Sequence, residues 1–502
     1  MNKKLLAELL IPAGIWLAGT GIGAVLAPAY PVGSGIAIIV FSAAAGLWFL
    51  VYDRSIVSFR FLLTLSWGVG EGMAAMRLSR LMKPWTWMSW ASFLLFYLAW
   101  LSGFFAAETV LERKNTVRAR KSSRSFSEEA EGLTEPDHSE SRTVKDKADI
   151  RADAISPRAS HRLFASILLI TAVSAACFAA EALILGYIPA FSEETHAYNY
   201  FHITGVHYFT VSGCLVPGLA AAWFLSGGGT VRRQRAAVLV CCLAALAVPV
   251  LSLSKFDLAV GVILPITVWL VMRPSLPVKK IAAVLAAAAV LLAAAAVYTT
   301  VSRHYEPGYI DSIFEMRDSG TPVSLQYLYM YVSNNYANFN ELTMQIRDGQ
   351  LTWTHGLRQL FPLFAFTGLK FTMPELVSFP IAVTKTELNT LTIIYDAYYD
   401  FGLAGVTGFG LIFGAACAAI RRAGKSGSPV AAFLYAETAL YASLSFFSAW
   451  FSVPTTWFWY GITFLVWLAV RGADRKRKRG KSGKDSAAHP SGQPAGQAPG
   501  LH

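Results

Sequence analysis

Apolar runs of about eighteen residues or more recur along this 502-residue chain between short polar stretches. Each is long enough to cross roughly 30 Å of hydrocarbon as a helix that satisfies its own backbone hydrogen bonds. About twelve such spans are predicted, near 5–28, 32–51, 56–76, 85–107, 163–186, 205–225, 236–252, 257–272, 281–300, 401–420, 430–449 and 456–470. The first segment begins MNKKLLAELL and no small-residue cleavage site follows its apolar run, so it reads as a retained span with a cytoplasmic N-terminus. The expected fold is all-α: a polytopic integral membrane protein of about 12 transmembrane helices with a large extracytoplasmic loop.

Composition agrees with that pattern. Hydrophobic residues make up 54% and charged residues 15%, against roughly 45–50% and about 25% in soluble domains. The formal charge of +12 at first invites a nucleic-acid reading. About half of it, however, sits from Arg471 onward in DRKRKRGKSGK, beside the last span, and then gives way to a Ser, Gly, Pro and Ala-rich end that builds no core. The 471–502 stretch is therefore expected to be a basic, disordered cytoplasmic tail beside the lipid bilayer, with no nucleic acid as partner. Cys177, Cys214, Cys241, Cys242 and Cys417 all fall inside apolar spans without metal-ligand spacing, as small packing residues do.

Short basic loops mark the cytoplasmic side. VRRQR at 231–235, RPSLPVKK at 273–280 and RRAGK at 421–425 alternate correctly with the spans and agree with the basic tail. Residues 1–107 form the N-terminal transmembrane helices. The 108–162 stretch, with the basic block RKNTVRARKSSR followed by the acidic block SEEAEGLTEPDHSE, is expected to be a disordered charged cytoplasmic loop. One hairpin disagrees: RLSRLMK at 77–83 is basic, yet counting spans places it outside. Arg60 and Glu71, eleven residues apart in the third span, either pair or lie near the interface.

The outer side receives YIPAFSEETHAYNYFHIT at 187–204 and a segment from about 301 to 390, too long for a simple connector. The longer one carries Tyr327, Tyr329, Tyr331, Tyr336 and Phe339, which suit an aromatic belt or faces on which sugar rings stack. It also carries Arg303, Arg317, Arg347 and Arg358, with His304 and His355. Guanidinium forks match phosphate oxygens bidentately, so this set suits a pyrophosphate headgroup. Ordinary ion pairing with Glu306, Asp311, Glu315, Asp318, Glu341 and Asp348 is the competing role for any one of them. Arg303 with His304 stands where a span leaves the membrane.

Two further places hold chemistry. In LSLSKFDLAVG at 251–261, Lys255 and Asp257 occupy a tight outer turn, either snorkelling to water or facing the same hollow as the long segment. In NTLTIIYDAYYDFGLAG, from Asn389, the carboxylates Asp396 and Asp400 fall at i, i+4 on one helical face, with Tyr395 and Tyr399 as a neighbouring stripe. Two such carboxylates repel unless Lys385, an arginine of the long segment, a cation or a shared proton offsets them. The structural alternative is that Asp396 caps a helix end while Asp400 precedes a Gly-rich bend.

Taken in order, IPAFSEETHAYNYFHITGVHYFTVSG, SLSKFDLAVGVILP at an outer turn, the long late outer segment and NTLTIIYDAYYDFGLAG resemble the oligosaccharide repeat-unit polymerase family, the Wzy-type polymerases of O-antigen, capsule and exopolysaccharide. The resemblance covers about 163–470, with the outer loop at about 301–390, and rests most on Asn389, Thr392, Tyr398, Asp400, Phe401, Gly402 and Gly405. It implies a GT-C-like architecture in a bacterial cytoplasmic membrane, and a glycosyltransferase that polymerises undecaprenyl-diphosphate-linked oligosaccharide repeat units on the extracytoplasmic side for a surface polysaccharide. A flippase and a chain-length regulator are the partners it adds. No cofactor and no metal are expected, because arginines take the cation's part.

In that chemistry Asp400, Asp396 and His304 are the candidate bases, in that order. Arg303, Arg317, Arg347, Arg358, Lys255, Tyr395, Tyr399 and Asn389 are the candidate pyrophosphate and glycan contacts. Lys255 and Tyr395 stand where family members often carry arginine. The alternatives are an O-antigen-ligase-like transferase, which differs in acceptor, and a lipid-linked-sugar transporter or flippase.

Overall fold

A computed structural model of the protein describes residues 3–130, 155–194, 197–273, 278–301 and 308–485. Among these the regular structure is helical, and the β-type pairing is an isolated antiparallel bridge between Ser79 and Met316. Arg303, His304 and Glu306 lie outside the described residues.

Among the described residues eight helices are long and apolar enough to cross a membrane: Leu6–Leu26, Pro31–Asp53, Trp87–Lys114, Pro157–Leu185, Val206–Leu225, Arg232–Leu251, Lys255–Met272 and Tyr395–Gly424. The chain is a multi-pass helical membrane protein. Helices Phe59–Ala75, Val278–Val301, Pro429–Ser443 and Pro454–Asp485 occupy the other four expected positions. Phe59–Ala75 has 17 residues and Pro429–Ser443 has 15, short of the roughly 20 that an upright span needs. Pro429–Ser443 is buried on nearly every face, the position of a central helix.

Helix contacts rely on small residues. A Cβ on Gly103 would lie 2.2 Å from the Leu411 carbonyl oxygen, and one on Gly414 would lie 2.0 Å from that of Trp100. Only bare backbone permits the Tyr395–Gly424 helix to lie this close along the helix that begins at Trp87. Such close approach drives helix association where lipid removes the hydrophobic force between helices.

Both stretches expected to be disordered are helical in part. The Trp87–Ala130 helix continues past 107, the Pro157–Leu185 helix begins before 162, and Pro454–Asp485 continues past 470. Arg, Lys, Glu and Ala are good helix formers, and extending an established helix adds one hydrogen bond for each residue fixed. Residues 131–154 and 486–502 lie outside the described set.

The two ends of the bundle differ. At one end Arg60 engages Asp53, Glu8 and Glu108, and Arg421 engages Asp53 and Glu108. Arg60 therefore does not pair with Glu71, whose two buried carboxylate oxygens have no hydrogen-bond partner among the described residues. At the opposite end the 309–394 segment folds back over the helices. The basic 77–83 hairpin lies beneath it: Arg80 N–H donates to the Glu315 carbonyl at 2.9 Å, Arg317 N–H donates to Leu78 at 2.9 Å, and Lys83 pairs with Glu341 at 2.9 Å. Its backbone is thus tied to the long segment, while the Arg80 side chain stays exposed.

Candidate functional site

The 309–394 segment is built around one amphipathic exception. Val323–Arg347 is a 25-residue helix that buries Ser333, Asn334, Asn335, Asn338, Asn340 and Thr343 together with Tyr329, Tyr336 and Phe339. Buried amides need partners, and here the partner is irregular backbone. Asn338 Nδ2 donates to the carbonyls of Leu388 at 2.6 Å and Thr390 at 2.8 Å, while its Oδ1 accepts from the Thr384 N–H at 2.8 Å. Asn334 Nδ2 adds a bond to Leu388 at 3.2 Å, and Thr390 Oγ1 donates to Asn335 Oδ1. The asparagines hold the irregular 384–390 chain, which turns where the Leu388 N–H donates to the Lys385 carbonyl at 3.0 Å, and so place Asn389 and Thr390 in the wall of the hollow beside it.

The following turn places the carboxylates. Tyr395 to Asp400 form one and a half turns of helix, which break at Phe401 (φ −142°) and Gly402 (φ 59°, ψ −142°) before the span resumes. Gly402 sits in the left-handed region that side chains avoid, and a Cβ on Gly405 would meet the Ala397 carbonyl oxygen at 2.0 Å. These glycines are the physical content of DFGLAG.

Asp396 and Asp400 do share a face, and both engage Arg358. Asp400, fully buried, accepts from Thr354 Oγ1 at 2.5 Å and from the Arg358 N–H at 3.1 Å through Oδ1, and from the Gln359 N–H at 3.0 Å through Oδ2. Its oxygens are committed to the 354–359 loop and it does not line the cavity. Asp400 is thus an anchor, with no free edge for taking a substrate proton. Asp396 Oδ1 instead accepts from Arg358 Nε at 2.7 Å, and both side chains line a cavity of about 730 Å³. Burial pulls the Arg358 guanidinium down, but the Asp396 charge and hydrogen bond outweigh it and hold it above its usual range. Tyr399 lies under the same guanidinium, 5.7 Å from ring centroid to Cζ. Arg358 is the offset for the paired carboxylates, whereas Lys385 pairs with Glu315 at 2.6 Å.

Other candidates are distributed differently. Lys255 lines an adjoining cavity of about 510 Å³, its Nζ 5.6 Å from the Tyr327 ring centroid. Asn389 lines the 730 Å³ cavity and a third one of about 670 Å³. Tyr395 is buried, its hydroxyl donating to the Ala382 carbonyl at 3.0 Å and accepting from the Ala382 N–H at 2.8 Å, a structural position. Arg317 Nε donates to the Arg77 carbonyl at 2.9 Å, away from these cavities. Arg347 is exposed and paired with its neighbour Asp348 at 2.8 Å. Among the described arginines of the long segment, Arg358 is the one that lines these cavities.

No family model, curated protein or solved structure matches this chain. The chemistry of the cavity is thus read from its own walls. They include Phe256, Trp450 and Trp459, with Phe256 and Trp459 parallel within 4° and Phe256 and Trp450 centroids 5.1 Å apart. Of the five rings of the Val323–Arg347 helix and its start, Tyr327 and Tyr331 line cavities, while Tyr329, Tyr336 and Phe339 are core. Among the described residues no three His, Cys, Asp or Glu side chains gather in a metal-holding group.

Sequence reasoning passed over His207 and Glu181. His207 lines both the 510 and 730 Å³ cavities, and its Nδ1 lies 3.1 Å from Oε1 of the buried Glu181. The available signal was a glutamate inside an apolar span, which is costly in lipid unless it has a task.

Proposed function

We propose that the chain is a membrane glycosyltransferase that polymerises undecaprenyl-diphosphate-linked oligosaccharide repeat units on the extracytoplasmic side of a bacterial cytoplasmic membrane. The observation that carries this reading is the Arg358–Asp396 pair opening into a cavity with aromatic walls beside the apolar helices. The motif resemblance over 163–470 supports the substrate class, and the 309–394 segment then forms the outer face.

Arg358 commits only Nε to Asp396 among the described residues, so the Nη edge of its fork is left for phosphate oxygens. Asp396 fixes that fork in place before substrate arrives. As the sugar C1–O bond to the donor diphosphate breaks, its electron pair goes to the phosphate oxygen, and a preorganised guanidinium in a water-poor site stabilises that charge. The acceptor hydroxyl forms the new C1–O bond and gives up its proton to a base. The half-buried Phe256, stacked with the buried Trp450 and Trp459, offers an aromatic wall for sugar rings, and Lys255 in the adjoining cavity supplies a second cation. A volume of about 730 Å³ lies within the range of roughly 300–1,000 Å³ typical of ligand pockets.

Deletion of the gene followed by glycan profiling tests the reading. Single repeat units accumulating on the lipid carrier are the expected result. An unchanged polymer ladder contradicts it, and loss of one transfer to a fixed acceptor with the ladder intact indicates a ligase instead.

A further inference from the structure

The 510 and 730 Å³ cavities share His207, Phe256, Asp257, Thr390 and Phe447. They are therefore two lobes of one hollow that meet at His207. One lobe carries the Arg358–Asp396 pair and the other Lys255 with Tyr331. A transfer between two bulky lipid-linked chains needs two such lobes, and the bond is made where they meet.

We propose that His207 is the base for the acceptor hydroxyl and that Glu181 is its positioning residue, with the Lys255 lobe receiving the acceptor glycan. This inference rests on the transferase reading above. The Glu181 side chain is fully buried, whereas that of His207 is 34% exposed. Nδ1 lies 3.1 and 3.2 Å from the two carboxylate oxygens, and Oε1 also accepts the Ile203 N–H at 2.9 Å. With Nδ1–H donating to Glu181, the ring is held in the tautomer whose Nε2 carries a lone pair, on a residue that lines both lobes. Among the described residues Nε2 makes no hydrogen bond.

The titratable groups around it are Glu181 on one helix, Asp257 and Lys255 on another, and His202 from the preceding loop, with ring centroids 6.2 Å apart. Asp257 also lines both lobes, with Oδ2 accepting from Ser254 Oγ at 2.7 Å, but among the described residues it has no buried partner that orients it as Glu181 orients His207. In the step, the acceptor O–H proton passes to Nε2 and the oxygen bonds to the donor C1. The C1–O bond to diphosphate breaks with its electron pair leaving on phosphate beside Arg358. The imidazolium, stabilised by the Glu181 carboxylate, then returns its proton to water.

The test uses the full chain in lipid nanodiscs, with lipid-linked repeat units extracted from the deletion strain as probe. His207→Ala is expected to lower the elongation rate on the order of 10²–10⁴-fold, the usual contribution of a general base, with KM little changed. Added imidazole should restore part of that rate, tracking the concentration of the free base. His207→Asn keeps a donor for Glu181 and so preserves the packing, and it should be as slow as the alanine variant. Glu181→Gln should lower kcat without raising KM. If wild type fails to elongate the extracted units, the transferase reading falls and this role falls with it. If wild type elongates and His207→Asn matches it within about threefold, or imidazole gives no rescue, the His207 assignment alone is overturned.

Discussion

Two arginines in this protein meet carboxylates under opposite conditions. Arg60 is sealed: its side chain is 2% exposed, three carboxylates surround it, and the rings of Phe49, Tyr52 and Phe104 lie 5.2–5.3 Å from its Cζ. Arg358 is open: its side chain is 15% exposed, one carboxylate holds Nε, and one ring lies beneath it. A charge enclosed by carboxylates and rings joins helices together. A charge fixed at one edge and free at the other is ready for a ligand. The difference separates a fastening from a site more sharply than the presence of an arginine does.

Arg358→Ala and Arg60→Ala should therefore fail in opposite ways. Arg358→Ala is expected to lower glycan elongation by roughly 10²–10³-fold, the scale of losing one preorganised charge-stabilising donor, with the protein inserted at normal abundance. Arg60→Ala strands carboxylates at the other end and should cost roughly 3–5 kcal/mol of stability, read as lost abundance and a lower Tm in detergent. Equal loss of abundance in both variants would erase the distinction.

Arg358→Lys sharpens the comparison by keeping charge and removing the planar fork. Elongation should fall roughly 10–100-fold, the equivalent of about 1.5–3 kcal/mol for one hydrogen bond to a charged group. Wild-type turnover would mean that a point charge suffices.

Asp400→Ala tests the anchor. It leaves the Arg358 and Gln359 N–H groups and Thr354 Oγ1 without their acceptor, at roughly 1–3 kcal/mol for each group left unsatisfied. Faster proteolysis within 351–360 is the expected readout, with Asp400→Asn milder. The smallest effect belongs to Arg347→Ala: an exposed pair with the adjacent residue should give elongation and Tm indistinguishable from wild type.

The spans were legible because lipid requires long apolar helices, and the i, i+4 placement of Asp396 and Asp400 was legible because helical period fixes it. What each carboxylate does was not. Both reach Arg358, 38 and 42 residues away, and no local pattern says which one keeps a free edge. Arg317 and Arg347 looked equivalent to Arg358 in sequence, but a backbone carbonyl and a neighbouring aspartate engage them. The run SNNYANFN showed aromatic spacing first, although its asparagines do the structural work by gripping 384–390. Helix past 107 and past 470 escaped notice because charged residues signal solvent exposure while favouring helix equally well.

The most direct measurement is the length distribution of lipid-linked glycan in cells carrying Arg358→Ala at normal protein abundance. Single repeat units on the carrier, with the ladder lost, are the predicted result. A full-length ladder in that variant would contradict the claim that this cavity holds the departing diphosphate.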